Sequence, residues 1–169
     1  ELAIEYTLEE QLVCQLAREF GPEDRLAVAG MLNYTLPAIA LAQRVYAPNL
    51  VFWMDAGGTK GCGALLSGVH YPFIVGRPPE EFIDSLLPSE EIFAFLAAGR
   101  WNIFMQPVQV DKYANTNLSL VGDKKKPSRV FVGSRALPDN TNNAGRAYFT
   151  VPEHTKRVFV EKIDFISGV

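Results

Sequence analysis

Leu50-Val-Phe-Trp-Met-Asp-Ala-Gly-Gly58 is a run of five apolar residues that ends on a carboxylate and opens onto two glycines. A short continuous apolar run bounded by turn residues reads as a strand buried on both faces, since neither face has a use for alternating polar residues. Burial on both faces implies a parallel sheet covered by helices. Asp55 then stands at the carboxyl end of that strand, where open α/β sheets place their ligands. Two readings of Asp55 stay open. It faces a crevice, or its carboxylate accepts backbone N–H groups of the turn behind it.

Working outward, Ala47-Pro48 closes a helix expected over Thr35 to Tyr46, and Arg25 to Gly30 reads as an earlier buried strand. Before these, Thr7 and Glu10 are spaced as a capping box. Leu8, Leu12, Val13, Leu16 and Phe20 recur at helical spacing until Gly21-Pro22 ends the run. Cys14 lies on this helix and is expected as a small core residue. Downstream, Gly57 to Pro79 reads as one long irregular loop, of a kind that is functional or mobile. Its Leu65, Leu66, Tyr71 and Phe73 fit the wall of a pocket as well as they fit a core.

Ser89 caps a helix expected through Gly99, and Trp101 to Met105 is a third buried strand. Shorter strands are expected at 118–121, 129–132, 147–151 and 157–160. Pro138-Asp-Asn-Thr-Asn-Asn143 between them reads as a polar turn. The helix–strand–helix–strand order predicts an α/β fold with right-handed crossovers and an open, mostly parallel sheet flanked by helices. Residues 1–169 are expected to form a single domain.

The bulk composition excludes several classes. A net charge of −3 provides no basic stripe for nucleic acid or an anionic membrane. Lys124-Lys125-Lys126, between Asp123 and Pro127, reads as a solvated loop. No apolar run reaches the ~18 residues that cross a bilayer. Two cysteines are too few for a disulfide framework and point to a reducing cytoplasm. Cys14, Cys62, His70 and His154 show no metal-ligand spacing, so neither a metal nor a bound cofactor is expected.

Three stretches are the most distinctive: Ala47-Pro-Asn-Leu-Val-Phe-Trp-Met-Asp-Ala-Gly57, Gln109-Val-Asp-Lys-Tyr-Ala-Asn-Thr-Asn117, and Lys156-Arg-Val-Phe-Val-Glu-Lys-Ile-Asp-Phe-Ile-Ser-Gly168. In this order they resemble the β subunit of the class I CoA-transferase family, with the glutaconate CoA-transferase branch the nearest large group. The resemblance runs from about Leu26 to Gly168. It implies a CoA-transferase-like fold and a coenzyme A thioester as substrate. It also implies an α subunit of similar fold, with the site between the two.

The chain departs from the transferases in four places. Their strand ends on a glutamate that attacks the acyl-CoA, and the matching residue here is Asp55, one methylene shorter. Such a displacement of reacting atoms by ~1 Å can lower a rate on the order of a hundredfold. Their Gly-Ser-Gly-Gly loop keeps Gly133-Ser134 but continues here as Arg135 to Asn143. An early glycine turn is replaced by Met31-Leu32-Asn33. A glycine before Asn115 is Ala114. These departures resemble the branch whose CoA-dependent hydrolase opens the last rings in steroid catabolism, and whose Pro-x-Asn-Thr-x-Asn-x-Ala turn is matched by Pro138, Asn140, Thr141, Asn143 and Ala144. There the working glutamate is implied on the α subunit, with water as acceptor. A decarboxylating branch carries a cysteine at the strand end, and Asp55 argues against it.

The candidate catalytic residue is therefore Asp55, able to orient water or the partner's glutamate, and the candidate substrate- and CoA-binding residues are Asn33, Gln109, Asn115, Asn117, Ser134, Arg135, Asn140 and Asn143. Uncharged amides donate to carbonyl oxygens without adding charge; equally, asparagines bond their own turns. A guanidinium suits phosphate or carboxylate. Asp111 fits a structural acceptor or a catalytic group, His154 a surface position, and Lys162 and Asp164 a pair with each other or with neighbours. Three functions stay open: an acyl-CoA hydrolase, a genuine CoA-transferase using Asp55, and a non-catalytic partner subunit.

Overall fold

The structure, a computed structural model, describes residues 5–29, 34–54, 57–60, 85–86, 89–151 and 153–169. They fall into two compact units, Glu1–Ile92 and Phe93–Val169.

In the first unit, α1 (Leu8–Arg18) begins on the expected capping box. Glu10 N donates to Thr7 Oγ1 at 3.2 Å and Thr7 N to Glu10 Oε2 at 2.8 Å. The Thr7 backbone N–H, then its hydroxyl, hold the Glu10 carboxyl below the ordinary range. Leu16, Ala17 and Phe20 are buried. Cys14 is exposed, against the core position expected for it, because two residues before Leu16 lies on the other side of a helical turn.

Strand β1 (Leu26–Ala29), helix α2 (Thr35–Val45) and strand β2 (Val51–Met54) form a strand–helix–strand crossover. The two strands are parallel, with Leu26 opposite Val51. Helix α2 buries Ala38, Ile39 and Ala42, and small side chains there let it lie close to its neighbours. Gln43 Nε2 donates to Leu50 O at 2.9 Å and so ties the end of α2 to the start of β2.

Strand β3 (Gly57–Lys60) returns antiparallel to β2, and β4 (Ser85–Leu86) pairs antiparallel with β3. This corrects the irregular reading of Gly57 to Lys60. Only two residues separate Met54 from Gly57, so an antiparallel return is the pairing within reach, and the glycines masked it. The rest of the Gly57 to Pro79 segment, with Leu65, Leu66, Tyr71 and Phe73, lies outside the described residues.

The second unit takes in most of α3 (Ser89–Ala97), which ends through Gly99 at φ +64°. Strand β5 (Asn102–Met105) is buried along its whole length and pairs parallel with β10 (Arg146–Phe149). Between them come two hairpins. The first joins β6 (Gln109–Val110) to β7 (Thr116–Asn117), and the second joins β8 (Leu120–Asp123) to β9 (Lys126–Val130). The strands expected at 118–121 and 129–132 are thus displaced along the chain. Residues 157–160 form a turn with a single bridge from Phe159 to Val110, not a strand.

Helix α4 (Leu137–Asn143) replaces the polar turn expected at 138–143. Pro138 sits at its second position, where a missing N–H loses nothing. Thr141 Oγ1 donates to Leu137 O at 3.0 Å and Asn142 Nδ2 to Pro138 O at 2.7 Å. These side chains bond backbone, as turn residues do, but from inside a helix. The α/β class is as expected. No helix among the described residues is long and apolar enough to cross a membrane.

Candidate functional site

The expected site residues of the second unit separate into three groups. The first is the loop between β6 and β7. Asp111 Oδ1 accepts Tyr113 N at 2.9 Å and Asn115 N at 3.1 Å, while Oδ2 accepts Asn115 Nδ2 at 2.9 Å. The side chain of Asn115 is therefore bound to Asp111, chiefly lowering the Asp111 pKa, with the Tyr113 and Asn115 backbone N–H groups and Lys112 acting in the same direction against desolvation. A depressed carboxylate contributes to folding above its unfolded pKa, and that contribution disappears as pH falls through the lower folded value. The loop is expected to hold its geometry from neutral pH to below the ordinary aspartate value of about 3.9. NMR titration of the Tyr113 and Asn115 amides checks this; a midpoint at or above that value contradicts it.

Ala114 in the same loop has φ +64°, a left-handed backbone that a Cβ disfavours. This is where the resembled family carries glycine. Ala114→Gly is expected to stabilise the chain by about 1 kcal/mol in urea unfolding, net of the greater freedom glycine gives the unfolded state.

The second group is a buried amide cluster. Asn117 Nδ2 donates to Gln109 Oε1 at 2.7 Å and to Leu120 O at 2.6 Å. Its Oδ1 accepts Ser119 N at 2.9 Å and Leu120 N at 3.3 Å. Gln109 Nε2 donates to Asp164 Oδ2 at 2.9 Å, and Gln109 Oε1 also accepts Asp164 N at 3.0 Å. Asp164 Oδ2 further accepts Gly122 N at 3.0 Å. Asp164 pairs with neighbours, as one of the two expectations held. The amides of Gln109 and Asn117 face inward and hold the two hairpins and the C-terminal stretch together. Sequence spacing carries no sign of the link between Gln109 and Asp164, which are 55 residues apart.

The third group lies on the 133–143 segment. Gly133 has φ +88° and Arg135 φ +47°, so two left-handed residues bracket Ser134. Arg135 is exposed and has no acidic partner among the described residues. Asn140 and Asn143 are half-buried on α4, three residues apart and so on one side of the helix. Their side-chain amides make no hydrogen bond among the described residues, which leaves them able to bind a ligand.

Grooves open among the described residues of this unit. One, of about 810 Å³, combines Val108, Leu118 and Val160 with Arg129, Lys156 and Arg157. Gln109 reaches its wall, as does Gln106, which follows the carboxyl end of β5. Another, of about 730 Å³, is lined by Asp111, Tyr113, Asn115, Lys162 and Phe165 among others. Asp55 and Asn33 lie outside the described residues.

Residues 10–169 match the Coenzyme A transferase family. The chain belongs to that family. It is 33% identical over 159 residues to the cholesterol ring-cleaving hydrolase IpdB subunit of Mycobacterium tuberculosis, covering 93% of this chain and 60% of the relative. It is 32% identical over 135 residues to one of the subunits of the 3-oxoadipate CoA-transferase of Pseudomonas knackmussii, covering 78% of this chain and 50% of the relative. The solved structure of Rhodococcus jostii RHA1 IpdAB superposes with a TM-score of 0.80 at 29% identity, over 98% of this chain and 62% of that one. Glutaconate coenzyme A-transferase from Acidaminococcus fermentans shares the fold, with a TM-score of 0.75 at 22% identity over 96% of this chain and 62% of that one. The chain thus spans about 60% of the length of the IpdB relatives it matches.

Reading the sequence missed two participants in this arrangement. Ser119 and Ser167 connect the Ser134 loop of this coenzyme A transferase chain to its C-terminal stretch, with Ser119 Oγ 3.2 Å from Ser134 Oγ and 2.8 Å from Ser167 Oγ. Serines are too common in loops for their positions along a chain to announce such a contact.

Proposed function

We propose that this chain is the β-type subunit of a heteromeric CoA-transferase-family enzyme acting on an acyl-CoA thioester, with water as acceptor. The reaction is of the ring-opening hydrolase kind named for the IpdB relatives. An α-type subunit of the same family completes the site, and the setting is cytoplasmic.

The observation that carries this reading is the Gly133–Arg135 loop. The resembled transferases continue there with glycine, whose backbone approaches the thioester. Here Arg135 adopts the left-handed backbone a glycine would hold, and its guanidinium is exposed without an acidic partner among the described residues. A free guanidinium suits a carboxylate or phosphate on the ligand. The unused amides of Asn140 and Asn143 supply uncharged donors for carbonyl oxygens. Asp55 orients the attacking water or the partner's glutamate, and two carboxylates in one pocket raise the pKa of one of them, which suits a base. Gln109, Asn115 and Asn117 act by holding the loops in place.

The test is co-purification with an α-type partner, then a panel of CoA thioesters with and without an acceptor acid. Turnover without an acceptor is expected. A strict need for an acceptor, with Asp55-bound CoA detected by mass spectrometry or a reduced Asp55 after borohydride, establishes the transferase reading instead.

A further inference from the structure

Ser134 is half-buried, and its backbone is fixed on both sides. Gly133 N donates to Leu118 O at 3.2 Å and Leu137 N to Ser134 O at 2.9 Å. Arg135 beside it is left-handed at φ +47°, and such backbone in a residue with a Cβ persists only where the surroundings over-determine it. Part of that restraint comes from two other hydroxyls. Ser167 lies in the C-terminal stretch and is 2% exposed. Its Oγ accepts Leu118 N at 2.9 Å and lies 2.8 Å from Ser119 Oγ. Ser119 Oγ in turn lies 3.2 Å from Ser134 Oγ.

Geometry alone leaves the direction of these bonds open, and burial decides it. A buried hydroxyl hydrogen without an acceptor is costly. The Leu118 N–H can only donate, so the acceptor for the Ser167 hydrogen among the described residues is Ser119 Oγ. Ser119 then turns its own hydrogen to Ser134 Oγ. Ser134 accepts, and its own hydrogen has no acceptor among the described residues. Each bond in such a row polarises the next.

We propose that Ser167 and Ser119 are positioning residues: they form a one-way hydroxyl relay that aims the Ser134 O–H outward as a donor to an acceptor oxygen of the substrate. This rests on the reading that the Gly133–Arg135 loop faces an acyl-CoA. The acceptor belongs to the class of thioester or ketone carbonyls and carboxylates, for which Ser134 and the neighbouring Arg135 make a neutral and a charged donor.

The test uses the complex with its α-type partner and a CoA thioester that it turns over. Ser134→Ala and Ser119→Ala are each expected to lower kcat/KM about tenfold, the double variant no further, and Ser119→Thr to restore activity by returning the hydroxyl. Fully additive losses, or no loss from Ser119→Ala, overturn the relay. A second measurement needs no substrate. Amide exchange at residues 133–136 of the full chain is expected to quicken about tenfold in Ser119→Ala and in Ser167→Ala, with α1 unchanged. Unchanged exchange overturns the positioning role. If the wild-type complex turns over no CoA thioester, the functional reading fails, and the exchange measurement alone decides whether the two serines hold Ser134.

Discussion

Asn117→Ala is expected to destabilise the Phe93–Val169 unit by about 3 kcal/mol, among the larger losses for a single polar residue. Asn117 is fully buried and makes four hydrogen bonds through its side chain. Alanine removes all of them and leaves Leu120 O and the N–H groups of Ser119 and Leu120 without those partners. An unpaired buried group forfeits its whole hydration, whereas a paired one contributes only the net difference. Asn117→Asp is expected to be about as harmful. A carboxylate still accepts the two N–H groups, but it donates nothing to Gln109 Oε1 or Leu120 O and sets negative charge against both oxygens. Urea unfolding followed by circular dichroism measures the change. A loss under about 1 kcal/mol means the amide cluster does not hold the hairpins.

Asp55→Ala is expected to lower kcat of the assembled complex about a hundredfold or more while the complex still forms. A group that orients water or a partner's carboxylate acts mainly in the transition state, so kcat and kcat/KM fall together. Asp55→Asn separates the possible roles. The amide keeps the shape and can still orient a water, so a positioning role retains part of the activity, whereas a nucleophile or base loses nearly all of it. Turnover within a few-fold of wild type for Asp55→Ala would make this chain a structural partner and assign the chemistry elsewhere.

The sequence reveals Asn117 and Asp55 to different extents. Asn117 is named by its motif, but the sequence presents it as a ligand-binding amide as readily as a buried brace. Which it is depends on the length and direction of one side chain. In the structure that side chain points at Gln109 and Leu120, and Asp164 reaches back across 55 residues to close the cluster. Asn115 is likewise held by Asp111, four residues away, a contact that short-range spacing does allow for. Asn140 and Asn143 went the other way. Their neighbourhood reads as a turn because asparagine competes with helix, yet α4 forms and leaves these two amides unbonded among the described residues.

By itself, the amino-acid sequence determined what local periodicity and covalent limits control. The Thr7–Glu10 cap, helix α2 between two parallel strands, and the strand Asn102–Met105 all follow from the 3.6-residue and continuous apolar patterns they carry. Ordered motifs likewise led to the family. Tertiary structure alone decided which polar groups far apart along the chain face one another. It drew Ser119, Ser134 and Ser167 into one row, turned Gln109 and Asn117 inward, exposed Cys14, and left Arg135 unpaired among the described residues. The physical reason is range. Helix and strand formation depends on neighbours a few residues apart, whereas a hydrogen bond between side chains requires donor and acceptor within about 3 Å, and only the folded path of the whole chain sets that distance.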